Sequence, residues 1–165
     1  MNENDTTEFL NSAMINGYLD ILRSQQMSKN TIINYNSVLK RFNEFLIKDD
    51  IKLHDFKLAD MYRYLETLST YTAHSKNLHI ACIQGMFTYM VEIGTRTDIP
   101  IVKHMRAKII RYEPDYIDRT TQLVYLNYLQ KHTQRDQLIG AELMLATGLR
   151  ISEIMSIDLV KDIEF

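Results

Sequence analysis

Almost nothing in the first 93 residues can break a helix, and apolar side chains recur there at helical spacing. Only Gly17 and Gly85 interrupt that stretch, and both prolines, Pro100 and Pro114, come later. The clearest run is Ile32, Tyr35, Leu39, Phe42 and Leu46, at steps of three and four, which places all five on one face of a helix. Ser28 stands where an N-cap belongs, with its hydroxyl able to accept the orphan amide of Thr31. Before it, Met14, Tyr18 and Leu22 with Ile15, Leu19 and Ile21 predict a helix over 9–25. The capped helix ends near Lys48-Asp49-Asp50, and a third follows over 57–68 with Leu58, Met61, Tyr62, Leu65 and Leu68 on one side. A fourth, over 74–93, runs through Ile80, Ile83, Phe87 and Met90 and is closed by Gly94 as a left-handed C-cap. Four amphipathic helices can bury a core together, so the chain is expected to be mainly α.

Organisation changes after Gly94. Residues 96–118 hold both prolines and a basic run, Lys103, Arg106, Lys108 and Arg111, with no acid from 101 to 112, and read as an interdomain linker. A second helical set starts near Arg119: one helix with Leu123, Leu126 and Leu129, another over 135–146 with Leu138, Leu143 and Met144, and a short third after Gly148. From Leu159 to Phe165 apolar and charged residues alternate, as at the opening of a strand. A lone strand has no partner, so this second domain is expected to be incomplete. The domains expected are thus 9–95, the linker 96–118, and 119–165.

Composition excludes several classes. The single cysteine, Cys82, rules out a disulfide framework and fits a reduced, cytoplasmic setting. No apolar run approaches the roughly 20 residues of a membrane span. Five histidines and one cysteine show no metal-ligand spacing. The formal net charge of -2 is awkward for a nucleic-acid reader, since such binding draws on lysine and arginine. Distribution matters more than the sum, and the basic run supplies a local stripe; the alternative is a solvated linker face.

Two motifs carry a resemblance. The capped helix spells Ser28-x-x-Thr31-x-x-x-Tyr35-x-x-x-Leu39-x-x-Phe42, and the fourth helix closes on Met86-Phe87-Thr88-Tyr89-Met90. After the linker, Arg135-Asp136 leads through Leu143 to Thr147-Gly148-Leu149-Arg150-Ile151-Ser152-Glu153-Ile154. In this order the motifs resemble the tyrosine recombinases, the phage integrase family, over about residues 15–165. The resemblance implies a four-helix SAM-like core-binding domain, then a linker, then the first helices and the edge of the first strand of a catalytic domain. It also implies that the two domains close on duplex DNA like a clamp. Candidate phosphate contacts are then Lys29, Asn30, Lys40 and Arg41 on the second helix, Lys76 and His79 on the fourth, and Lys103, Arg106, Lys108 and Arg111 in the linker. Gln84 departs from the pattern, standing where many relatives have arginine or lysine.

Arg150 is the sharper candidate. By the resemblance it is the first catalytic arginine, whose guanidinium fork can hold two non-bridging oxygens of the scissile phosphate as charge grows in the transition state. Glu153, three residues on, can fix its rotamer. The family's lysine, H-x-x-R helix and nucleophilic tyrosine follow the arginine motif, so the sequence read here is expected to be truncated and inactive alone. His132-Thr133-Gln134-Arg135 spells H-x-x-R but precedes Arg150 and is a coincidence of a helix boundary. None of the ten tyrosines matches the nucleophile; Tyr35, Tyr62 and Tyr128 occupy helical apolar faces where core packing is the default.

The expected function is therefore the DNA-binding portion of a site-specific recombinase, needing no cofactor or metal, with double-stranded DNA as partner and a homo-oligomer or a full-length recombinase beside it on paired sites. A portion of a longer enzyme, a disrupted gene and a short natural regulator of a recombinase all remain open. So does a helical protein-interaction module without a DNA role.

Overall fold

The second helix obeys its sequence closely. Ser28 Oγ accepts the Thr31 amide at 3.1 Å and starts α2, Lys29–Lys48. The computed structural model describes residues 3–110 and 115–157. Within them α1 spans Glu3–Ser24, α3 Leu58–Thr67, α4 Ala73–Glu92, α5 Arg119–His132, α6 Arg135–Thr147 and α7 Ile151–Ile154, with a one-turn 3-10 helix at Lys103–Met105. The protein is mainly α, and the described residues contain no strand; the strand expected over 159–165 lies outside them.

Residues 1–110 and 111–165 form two compact units. In the first, α1, α2, α3 and α4 close on Phe42, whose ring meets Phe56 at 5.2 Å, Tyr64 at 5.0 Å and Phe87 at 6.4 Å, all edge-on. Edge-to-face contacts let each ring's positive rim meet a neighbour's negative face. Leu39, Leu46, Met61, Leu68, Ile83 and Met86 seal the cluster with no exposed surface. Gly94 takes φ +75°, the left-handed ending expected after α4.

Three details correct the sequence reading. Helix α1 starts at Glu3, not Phe9, and a polar side chain within it, Asn11, is buried. Its buried amide accepts the Leu53 N–H at 2.9 Å and donates to the Ile51 carbonyl at 2.9 Å, satisfying the backbone between α2 and α3. On α3 the inward tyrosine is Tyr64, fully buried, whereas Tyr62 is 42% exposed and pairs with His104. The linker is also no free connector. Pro100 and Met105 are buried, Ile101 and Val102 pack on the core, and the first unit runs on to Ile110.

In the second unit Asp118 caps α5 by accepting the Thr121 amide at 2.9 Å. Gly148 ends α6 at φ +72°. His132 closes α5 and Arg135 opens α6, so the H-x-x-R sequence straddles a turn. Tyr128 lies 59% exposed against His132 and is no core residue. Among the described residues of this unit only Leu129 and Ala141 are buried hydrophobics.

Candidate nucleic-acid interface

The linker is fixed to α4 side chain by side chain. Asn77 donates to the Ala107 carbonyl at 2.9 Å and accepts the Ala107 N–H at 2.8 Å, continuing the linker backbone's hydrogen bonds onto a helix. Two turns along α4, Gln84 Oε1 accepts from Arg106 Nη2 at 3.1 Å. Tyr62 Oη and His104 Nε2 lie 2.8 Å apart. At the linker's start Arg96, its side chain only 6% exposed, donates to the carbonyls of Leu53 at 2.7 Å and His54 at 2.9 Å and lies over the Phe87 ring. Lys103, Arg106 and Lys108 are therefore exposed cations on a segment held in place. Arg111 lies outside the described residues.

The other flank of α4 faces α2 across an open groove of about 420 Å³. Lys40 and Arg41 border it from α2, Ser75 and His79 from α4, and Tyr71 from the connection between α3 and α4. Arg41 is set over the Tyr71 ring at 4.9 Å, which limits its rotamers. Lys76, half-buried, donates from Nζ to the Ser69 carbonyl at 3.1 Å. Helix α4 thus has Lys40 and Arg41 along one side of its N-terminal half and the linker cations along the other. Lys29 and Asn30 are exposed at the first turn of α2, some ten residues before Lys40.

His79 departs from the expectation of an exposed contact. Only 5% exposed, it has Nδ1 2.6 Å from Tyr64 Oη, with Tyr71 edge-on at 5.6 Å. Burial, then the neighbouring Arg41 charge, lowers its pKa, so the ring is neutral in the folded protein at pH 7. Burial raises the Tyr64 hydroxyl's pKa well above the usual value and keeps its proton. Cys82, pushed up to about 12 by burial, is an inert core thiol.

Arg150 is the N-cap residue of α7 with its side chain 81% exposed. Its backbone N–H donates to Glu153 Oε2 at 2.6 Å and its guanidinium to Glu153 Oε1 at 3.1 Å. The two residues are thus paired across the first turn of α7. Those hydrogen bonds, the backbone one foremost, lower the Glu153 pKa and keep it ionised opposite the arginine.

Sequence reasoning missed Tyr64, Tyr71, Asn77 and Arg96. Each acts by filling a place set by another element, and spacing along one helix carries no such signal.

The sequence model of the phage integrase, N-terminal SAM-like domain matches residues 15–94. Tyrosine recombinase XerC of Staphylococcus aureus (strain USA300 / TCH1516) is 27% identical over 156 residues, covering 90% of this chain and 51% of the relative. XerC of Staphylococcus aureus (strain MRSA252) aligns with the same identity and coverage, and another Staphylococcus aureus XerC is 28% identical over 156 residues. The chain spans about half the length of the curated relatives it matches. No solved structure matches it. Among the described residues no helix is long and apolar enough to cross a membrane. With the family match across α1 to α4 and similarity to XerC over 90% of the chain, the first unit is a phage integrase N-terminal SAM-like domain in a chain that resembles the tyrosine recombinases.

Proposed function

We propose that these 165 residues grip duplex DNA for a site-specific recombinase, with α2, α4 and the pinned linker as the backbone-binding face and Arg150 as a contact to the scissile phosphate. The observation that carries the reading is the linker's attachment to α4. Ordering Lys103, Arg106 and Lys108 before DNA arrives removes part of the entropy that a flexible basic tail loses on binding. The -2 net charge is no obstacle, because the contacts a duplex meets are set by where the cations stand.

Contacts of this kind are to phosphate and sugar, so they fix register and carry no sequence information. Counterion release makes them salt-sensitive, with a log-log slope of about -0.9 per phosphate neutralised. Fluorescence anisotropy of a labelled duplex should show affinity falling steeply from 50 to 200 mM salt, as a set of several such contacts requires. Replacing Lys103, Arg106, Lys108 and Arg111 with glutamine should flatten the slope and weaken binding while the helical circular dichroism stays unchanged. Absence of binding at low salt would falsify the reading and favour a helical protein-interaction module. The recombinase setting adds a multimer on paired sites, either of this chain or with a full-length partner, which cross-linking on DNA would register.

A further inference from the structure

Of the candidate contacts, Arg41 and His79 share a groove that holds more than loose surface charge. His79 is 5% exposed, and its Nδ1 is occupied by Tyr64 Oη at 2.6 Å. The buried Tyr64 phenol needs an acceptor and finds Nδ1, which leaves the ring hydrogen on Nε2. That Nε2–H has no protein partner among the described residues, and the ring lines the groove. Arg41 stands at the same groove with its guanidinium carbon 4.9 Å from the centre of the Tyr71 ring, and it lines the groove beside His79. Ser75, in the first turn of α4 where the Thr72 side chain caps the helix, completes the border and brings the positive end of a 20-residue helix with it.

We propose that this groove is a preformed subsite for one backbone phosphodiester, with Arg41 supplying the charge, His79 Nε2–H a directed donor, and the start of α4 the third side. This rests on the DNA reading above and narrows it to one pocket. Tyr64 and Tyr71 are its positioning residues, the first fixing the imidazole tautomer and the second the arginine rotamer. Glu44 borders the same groove one turn beyond Arg41 and opposes an anion there. It acts as a brake, lowering affinity for stray phosphates while a duplex held by several further contacts can still seat.

The test follows the His79 ring nitrogens of the full chain by NMR, during titration with a short duplex and separately with dimethyl phosphate, a minimal phosphodiester. Both probes should move the Nε2 resonance, exposed His54 serving as the control, and Arg41→Gln should abolish the shift. In anisotropy, Arg41→Gln should also reduce the salt slope by about one. Glu44→Gln should tighten duplex binding several-fold; unchanged or weaker binding counts against the groove. If the duplex binds while His79 stays still with both probes, the subsite is wrong and the DNA reading survives. If dimethyl phosphate shifts Nε2 in an Arg41-dependent way but no duplex binds, the subsite stands and the DNA reading falls.

Discussion

A neutral histidine held in a core by a tyrosine makes stability depend on pH in a defined direction. The His79 pKa is lowered in the folded protein relative to about 6.5 in the unfolded chain. The unfolded state therefore takes up the proton first as pH falls. The contribution is fully present above about 6.5 and is lost between that value and the lower folded pKa. Tyr64 from α3 and Tyr71 before α4 pack on the ring, Lys40, Arg41 and Glu44 from α2 line the groove beside it, and the charge of Arg41 opposes a second positive charge there. Tm should fall as pH drops from 7 toward 5, and His79→Gln should flatten that part of the profile, as differential scanning calorimetry would read. A steeper profile in the variant would reject the assignment. Sequence reading names His79 as a phosphate contact but carries no sign of its burial: helical spacing places it on α4, and only the depth of Tyr64 shows that one of its nitrogens is already taken.

At the scale of elements, the approach of α1 to α4 is tightest at a glycine. A Cβ at Gly85 would sit 2.2 Å from Tyr18 Oη, closer than any real contact. The Tyr18 ring cannot simply swing aside, since it is 6% exposed and stacked on Tyr89 at 5.8 Å. Alanine would gain about 1 kcal/mol of helix propensity over glycine. Overpacking a filled core costs roughly 1–3 kcal/mol, so the clash should win or at best break even. Gly85→Ala should lower the denaturation midpoint, and adding Tyr18→Phe, which removes the offending oxygen, should restore it. Equal midpoints for the single and double variants would show that the hydroxyl is not the obstacle. The elements themselves were legible: α2, α3, α4, α5 and α6 fall within a residue or two of where periodicity and caps put them. The register of α3 was not, because Tyr62 and Tyr64 are equally apolar to a helical wheel. Their partners on other elements, His104 and His79, decide which turns inward.

At the scale of the molecule, the two units differ in how much of their apolar surface is covered. The first has a closed aromatic core, whereas in the second Leu123, Val124 and Tyr125 are all more than half exposed. The Arg150 assignment belongs to this scale, since chemistry at a phosphate requires the rest of a catalytic domain around it. In a polypeptide carrying residues 1–165 within a complete domain, covalent protein–DNA adducts should depend on Arg150. Arg150→Ala should lose them on a suicide substrate while costing duplex affinity no more than one phosphate contact does; full adduct formation by the variant would reject the role. By itself the sequence determined the helices, the caps at Ser28 and Gly94, the turn at Gly148 and the motifs of the resemblance, because each is written in residues near one another along the chain, where local sterics and hydrogen bonding act. Only the tertiary structure decided that the basic linker is bound to α4, that His79 is buried and that Arg41 meets it across a groove. Those outcomes rest on pairings such as Asn77 with Ala107 and Tyr64 with His79, between residues 30 and 15 positions apart, and such pairings exist only once helices pack.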